Sequence, residues 1–86
     1  MNPGVLVRII PEMEGREDHK ILWDDPPSFT NIYNKNHTGR FRYDDLGIVL
    51  ERNYVLDGPL HTRTTWVKVL CSGGCGWIKR CDLEAV

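Results

Sequence analysis

Short runs of apolar, largely β-branched residues alternate with turn formers along this chain. Asn2-Pro3-Gly4 opens onto Val5-Leu6-Val7-Arg8-Ile9-Ile10, which predicts a strand closed by Pro11, since proline cannot donate to a ladder. Ile48–Val55 predicts a second strand, followed by the turn Asp57-Gly58-Pro59. Thr64–Cys71 predicts a third, and Ser72-Gly73-Gly74 supplies the positive φ of a tight hairpin. Gly76–Arg80 returns antiparallel, Cys81-Asp82-Leu83 suits one 3₁₀ turn, and Glu84-Ala85-Val86 predicts a closing strand. Alternation from Val67 puts Val67, Val69 and Cys71 on one face and Trp66, Lys68 and Leu70 on the other.

The region between residues 11 and 46 is less regular. Glu12, Glu14, Arg16, Glu17 and Asp18 form a solvated stretch, and Ile21-Leu22-Trp23 is cut off by Asp24-Asp25-Pro26-Pro27. A helical turn over Arg16–Trp23 is compatible with the pattern. Five of the eight aromatic residues lie here: Trp23, Phe29, Tyr33, Phe41 and Tyr43. So many rings predict an ordered excursion with a hairpin around Phe29–Tyr43, because long loops in small domains are packed by their own side chains.

Length and charge narrow the classes. The 86 residues suffice for one domain, 1–86, near the lower limit for a single unstapled core. The formal charge of −1 is spread evenly, with 6 Lys/Arg against 8 Asp/Glu up to Leu46 and 5 against 4 beyond it, so no basic arm is present. No apolar run approaches the roughly 20 residues of a membrane span, and the N-terminus lacks the pattern of a secretory signal. Three cysteines do not make a secreted disulfide framework, and synthesis in a reducing cytoplasm is the expectation.

The C-terminal half resembles a Src-homology-3-like barrel in Trp66-x-x-Val69, the turn at Ser72-Gly73, then Gly76-Trp77-Ile78 and Leu83. That resemblance implies an all-β small barrel of about five strands, a core of Val69, Ile78 and Leu83, and a long first loop over 11–46. It implies no polyproline groove: Trp66 falls where the family has its groove tryptophan, but Lys79 and Asp82 replace the groove proline and tyrosine. The whole chain also resembles short bacteriophage proteins of unassigned role. The carriers are Pro3-Gly4-Val5-Leu6-Val7-Arg8-Ile9, Gly47–Glu51, Trp66–Leu70 and Asp82–Glu84. It implies a viral, non-enzymatic setting, with synthesis in the host cytoplasm and incorporation into a virion as one destination.

Candidate chemistry is sparse. Cys71, Cys75 and Cys81 lack the Cys-x₂-Cys spacing of a zinc knuckle, although His61 could complete a set of four ligands; small buried or turn cysteines are the plainer account. No phosphate loop, dinucleotide fingerprint or HExxH motif occurs, and Asp24-Asp25 and Asp44-Asp45 suit turns better than paired catalytic acids. No enzyme activity and no cofactor are expected. Arg40-Phe41-Arg42-Tyr43 interleaves cations with rings, as a nucleic-acid-binding loop does, yet two acids follow at once. The leading expectation is a structural or accessory module acting by protein–protein contact, with capsid or tail proteins or with its own copies. Trp23, Phe29, Tyr33, Phe41, Tyr43 and Trp66 are the candidate contacts. The alternatives are nucleic-acid binding through Arg40, Phe41, Arg42 and Tyr43, and a zinc-stabilised domain.

Overall fold

The computed structural model describes residues 1–10, 19–24, 36–57 and 62–86. They form seven strands and one 3₁₀ turn: β1 Leu6–Ile9, β2 His19–Trp23, β3 His37–Arg42, β4 Gly47–Asp57, β5 Thr62–Cys71, β6 Gly74–Lys79, the turn Arg80–Asp82, and β7 Leu83–Ala85. One antiparallel sheet runs β2-β3-β6-β5-β4-β1-β7 and curls into a half-barrel, and β2 also meets β6 through Trp23 and Trp77. The all-β expectation stands at that level. Seven strands replace the expected five or so. The supposed first loop contains two of them, and the stretch up to Trp23, where a helical turn was compatible with the pattern, is strand from His19 onward.

Why β2 and β3 pair is visible in their side chains. Lys20 opposes Phe41 and Leu22 opposes Gly39, so each strand offers one large apolar residue to the concave face, Leu22 and Phe41, both fully buried. Polar residues fill most of the other positions, which is why the strands were hard to see in the sequence. Asp24 closes this hairpin at its far end, donating its amide to the Asn36 carbonyl at 3.0 Å and accepting the Asn36 amide on its carboxylate at 3.2 Å.

The core takes at least one side chain from every strand: Val7 and Ile9, Leu22, Phe41, Val49, Val67 and Val69, Ile78, and Leu83. Those nine side chains lie on one face, as the period-2 alternation requires. Burying an aliphatic or aromatic side chain of this size stabilises by about 1.5–3 kcal/mol each, so the cluster is the main source of stability.

Curvature comes from two features. A bulge between Val49 and Glu51 adds one residue to β4, and a register shift at Leu22/Trp23 bends β2. The second feature is a backbone crossing without side chains. Strand β3 passes so close to the β5–β6 turn that the Arg40 amide donates to the Gly73 carbonyl at 3.2 Å, and a Cβ on Gly39 would lie 2.5 Å from that same oxygen. Gly74 completes the turn at φ +137°, a conformation L side chains rarely adopt. Asp45 fastens the neighbouring β3–β4 turn to the same place, accepting from the Leu46 amide at 2.8 Å, the Ser72 amide at 3.1 Å and the Ser72 hydroxyl at 2.6 Å.

Candidate functional site

The outer, convex face of the sheet carries an apolar row. The registers Leu6↔Ile48, Ile48↔Leu70 and Leu70↔Cys75 place one residue of each strand side by side. Val86 extends the row beyond β1, its amide donating to the Leu6 carbonyl at 3.0 Å. Val86 is 66% exposed, Leu6 46%, Ile48 42% and Leu70 48%. Leu50, two residues beyond Ile48 on the same side, adds a fifth large side chain. Single exposed leucines are ordinary, but a contiguous row across neighbouring strands is the pattern that marks an interaction surface.

Ion pairs border this row. Arg8 and Glu84 meet at 2.6 Å beside Leu6 and Val86, and Lys68 and Glu51 at 4.0 Å beside Leu70. The border is therefore neutral, two cations against two anions, and surface pairs of this kind contribute little to stability by themselves.

A second feature lies where β2 approaches the 3₁₀ turn. Lys20, Ile21, Trp23, Trp66, Ile78, Lys79 and Asp82 line a cleft of about 170 Å³. Trp66 is only 5% exposed, and among the described residues its indole Nε1 is buried with no hydrogen-bond acceptor. Trp66 and Trp77 stand outside the nine-residue core cluster, as expected for side chains of the opposite face that are nevertheless covered.

The candidate contact residues fare unevenly. Trp23 is half-buried and meets His37 edge-on at 4.6 Å between ring centres. Phe41 is fully buried in the core and Trp66 is covered, so neither offers a ring to a partner; Tyr43 is half-buried and packs against the core. Phe29 and Tyr33 lie outside the described residues, as does His61. Arg40 and Arg42 are exposed, but with Phe41 turned inward they do not bracket an accessible ring. Arg42 is moreover paired with Asp44 at 3.3 Å. The stretch behind the nucleic-acid alternative thus has one buried and one solvated strand face.

Cys71, Cys75 and Cys81 are free thiols. Cys71 points toward the Arg40 carbonyl at 3.6 Å, and burial, the largest influence on it, pushes its pKa up. Among the described residues no three His, Cys, Asp or Glu side chains converge as a metal set. No helix among them is long and apolar enough to cross a membrane.

The outer row escaped the sequence expectations although its signal was present. Leu6-Val7, Ile48-Val49-Leu50 and Val69-Leu70 are consecutive apolar residues within strands, so both faces of those strands must be apolar. Comparison with protein-family models, with curated proteins and with solved structures finds no match to this chain.

Proposed function

We propose that this chain is a non-enzymatic interaction module that docks through the convex face of its sheet, and that the occupant is a second copy of itself. The observation that carries this is the row Val86, Leu6, Ile48 and Leu70, with Leu50 beside it. A two-fold pairing sets the same patch against itself, so a neutral border with both signs of charge is what such a contact needs. The border of Arg8, Glu84, Lys68 and Glu51 has that composition, and a net charge of −1 leaves little repulsion between copies.

The size of the patch sets the expected strength. Each of five half-exposed aliphatic side chains per protomer has about 1 kcal/mol left to gain by full burial. A pair of protomers thus gains about 10 kcal/mol before the cost of association, which is itself about 4–15 kcal/mol. The contact is therefore weak to moderate in solution and strengthened where many copies assemble. A particle component or accessory protein of a bacteriophage is the biological setting we propose for it.

Sedimentation equilibrium tests this directly, with Ile48→Lys at the middle of the row. The wild-type chain is expected to self-associate at tens to hundreds of micromolar, a range appropriate to about 5 kcal/mol of net association. The variant is expected to stay monomeric with an unchanged thermal midpoint. A wild-type chain that is monomeric at about 1 mM, the edge of weak specific association, would overturn the self-docking reading.

A further inference from the structure

The β4–β5 hairpin outruns the rest of the sheet. Strand β1 pairs with β4 only at Gly47 and Ile48, and β6 pairs with β5 only from Trp66 onward. Residues 52–57 and 62–65 therefore form a two-stranded arm that no third strand flanks among the described residues. Beyond the bulge the registers Arg52↔Val67, Tyr54↔Thr65 and Leu56↔Arg63 place these residues on the same side as the core residue Val67. The concave face thus continues onto the arm, but with cations and a ring in place of the core aliphatics.

We infer that this concave face of the arm is a binding site for single-stranded nucleic acid, with Arg52, Arg63 and Arg80 receiving phosphates and Tyr54 offering its ring to a base. Three observations converge on it. First, Tyr54 and Leu56 are 51% and 53% exposed, so the arm presents apolar surface that the fold leaves uncovered. Second, the Arg63 guanidinium lies 4.2 Å above the Tyr54 ring. That stack leaves one guanidinium face and one ring face outward, and both are platforms on which a base can stack. Third, two adjoining depressions share Arg63 and Thr65: one reaches Arg52, Asn53 and Tyr54, and the other reaches Arg80 in the 3₁₀ turn. A strand of alternating phosphates and bases fits a groove that alternates cations, a ring and small polar groups.

Charge supports the same site. Arg8, Arg42 and Lys68 each have a carboxylate partner, whereas among the described residues Arg52, Arg63 and Arg80 have none. Asp82 follows Arg80 closely, but its side chain lines the Trp66 cleft. An acidic peptide would also be attracted to three arginines. The stacked Tyr54–Arg63 pair favours a ligand that brings planar bases as well as anions. The site lies on the opposite side of the sheet from the self-docking row and stands independently of it.

Fluorescence anisotropy with labelled twelve-residue oligo-dT and oligo-U at 20–200 mM NaCl provides the test. Binding is expected to weaken with salt at a slope of about −2 in log–log form, three phosphates at the single-strand value. Arg52→Ala with Arg63→Ala is expected to weaken it by about tenfold or more, and Tyr54→Ala by about fivefold or more, a single lost stack. Tyr54→Ala should leave heparin binding unchanged, since heparin carries charge without bases. The proposal is overturned if no oligonucleotide binds at about 100 μM protein and 20 mM salt, where even non-specific contacts register. It is equally overturned if the arginine variants bind as the wild type does, if Tyr54→Ala weakens heparin and oligonucleotide alike, or if poly-glutamate binds more tightly than oligo-dT. Arg40→Ala with Arg42→Ala, on a different part of the surface, should leave binding unaltered.

Discussion

Replacing Phe41 by alanine separates a structural ring from a ligand-contacting one. The side chain is fully buried and belongs to a cluster fed by all seven strands. Gly47 lies directly beneath it: a Cβ there would stand 2.9 Å from the Phe41 Cε2 atom and would also strike the Val69 side chain. The ring is thus seated on bare backbone, with little freedom for neighbours to fill the space it leaves. Truncating a buried phenylalanine costs about 3–5 kcal/mol. A domain of this length has about 4–13 kcal/mol in total, so the change removes a large share of stability. At a urea m-value near 1.3 kcal/mol/M, the low end suited to a chain this small, the midpoint should fall by about 2–4 M. The intrinsic fluorescence of the covered Trp66 and Trp77 reports the transition. Phe41→Leu, which keeps more of the volume, should lose about 1–1.5 kcal/mol and keeps the test readable if the alanine variant does not fold. A midpoint shift below about 0.3 M for the alanine variant would refute the placement of this ring in the core.

Trp66 calls for a different pair of variants. Trp66→Ala should cost about 3–5 kcal/mol, whereas Trp66→Phe should cost far less, because losing the unpaired indole N–H removes a penalty of about 1–3 kcal/mol. Equal losses in urea titration would mean that the N–H has an acceptor. The Ser72 hydroxyl, first among several donors, holds the Asp45 carboxyl below its ordinary value of 3.8. Its stabilisation is therefore complete above that value and disappears as pH falls through the lower folded-state value. Asp45→Asn should accordingly lower the thermal midpoint at pH 7 and narrow its gap to wild type as the pH falls below 3.8. Alkylation by iodoacetamide at pH 8, followed by mass spectrometry, should modify exposed Cys81 first and Cys71 last, since burial raises the Cys71 pKa and lowers its thiolate fraction. Rapid modification of Cys71 in the folded protein would contradict its placement.

The strands from Gly47 onward were legible because period-2 patterning and glycine turns agree there; the 3₁₀ turn at Arg80–Asp82 fell within one residue of expectation. Strands β2 and β3 were not legible for a physical reason. Each buries one large apolar side chain fully, and Gly39 does its packing through the absence of a side chain, which no hydrophobicity pattern records. Phe41 and Trp66 drop out of the candidate contacts for a related reason. Aromatic content suggests a contact surface, but in so small a domain the largest rings are the most effective filling. Phe41 and Trp66 went inside, and four aliphatic residues with a bulge leucine were left out. The arm was hidden by register: without the bulge, strict alternation would assign Arg52 and Tyr54 to the other face.

That extra residue at Leu50 makes the protein sensitive to chain length in an uneven way. Pairs of residues added or removed at the tip of the β4–β5 hairpin leave every side chain of the arm in phase. Deleting Leu50 alone would remove the bulge and straighten β4, keeping Val49 opposite Val69 and Glu51 opposite Lys68, with Arg52, Tyr54 and Leu56 still on the concave side. A single codon gained between Glu51 and Arg52, by contrast, would exchange the two surfaces of the arm while leaving the amino-acid composition almost untouched. Variation in length among descendants of this chain should therefore gather at the hairpin tip, and single insertions should be scarce between Glu51 and the arm.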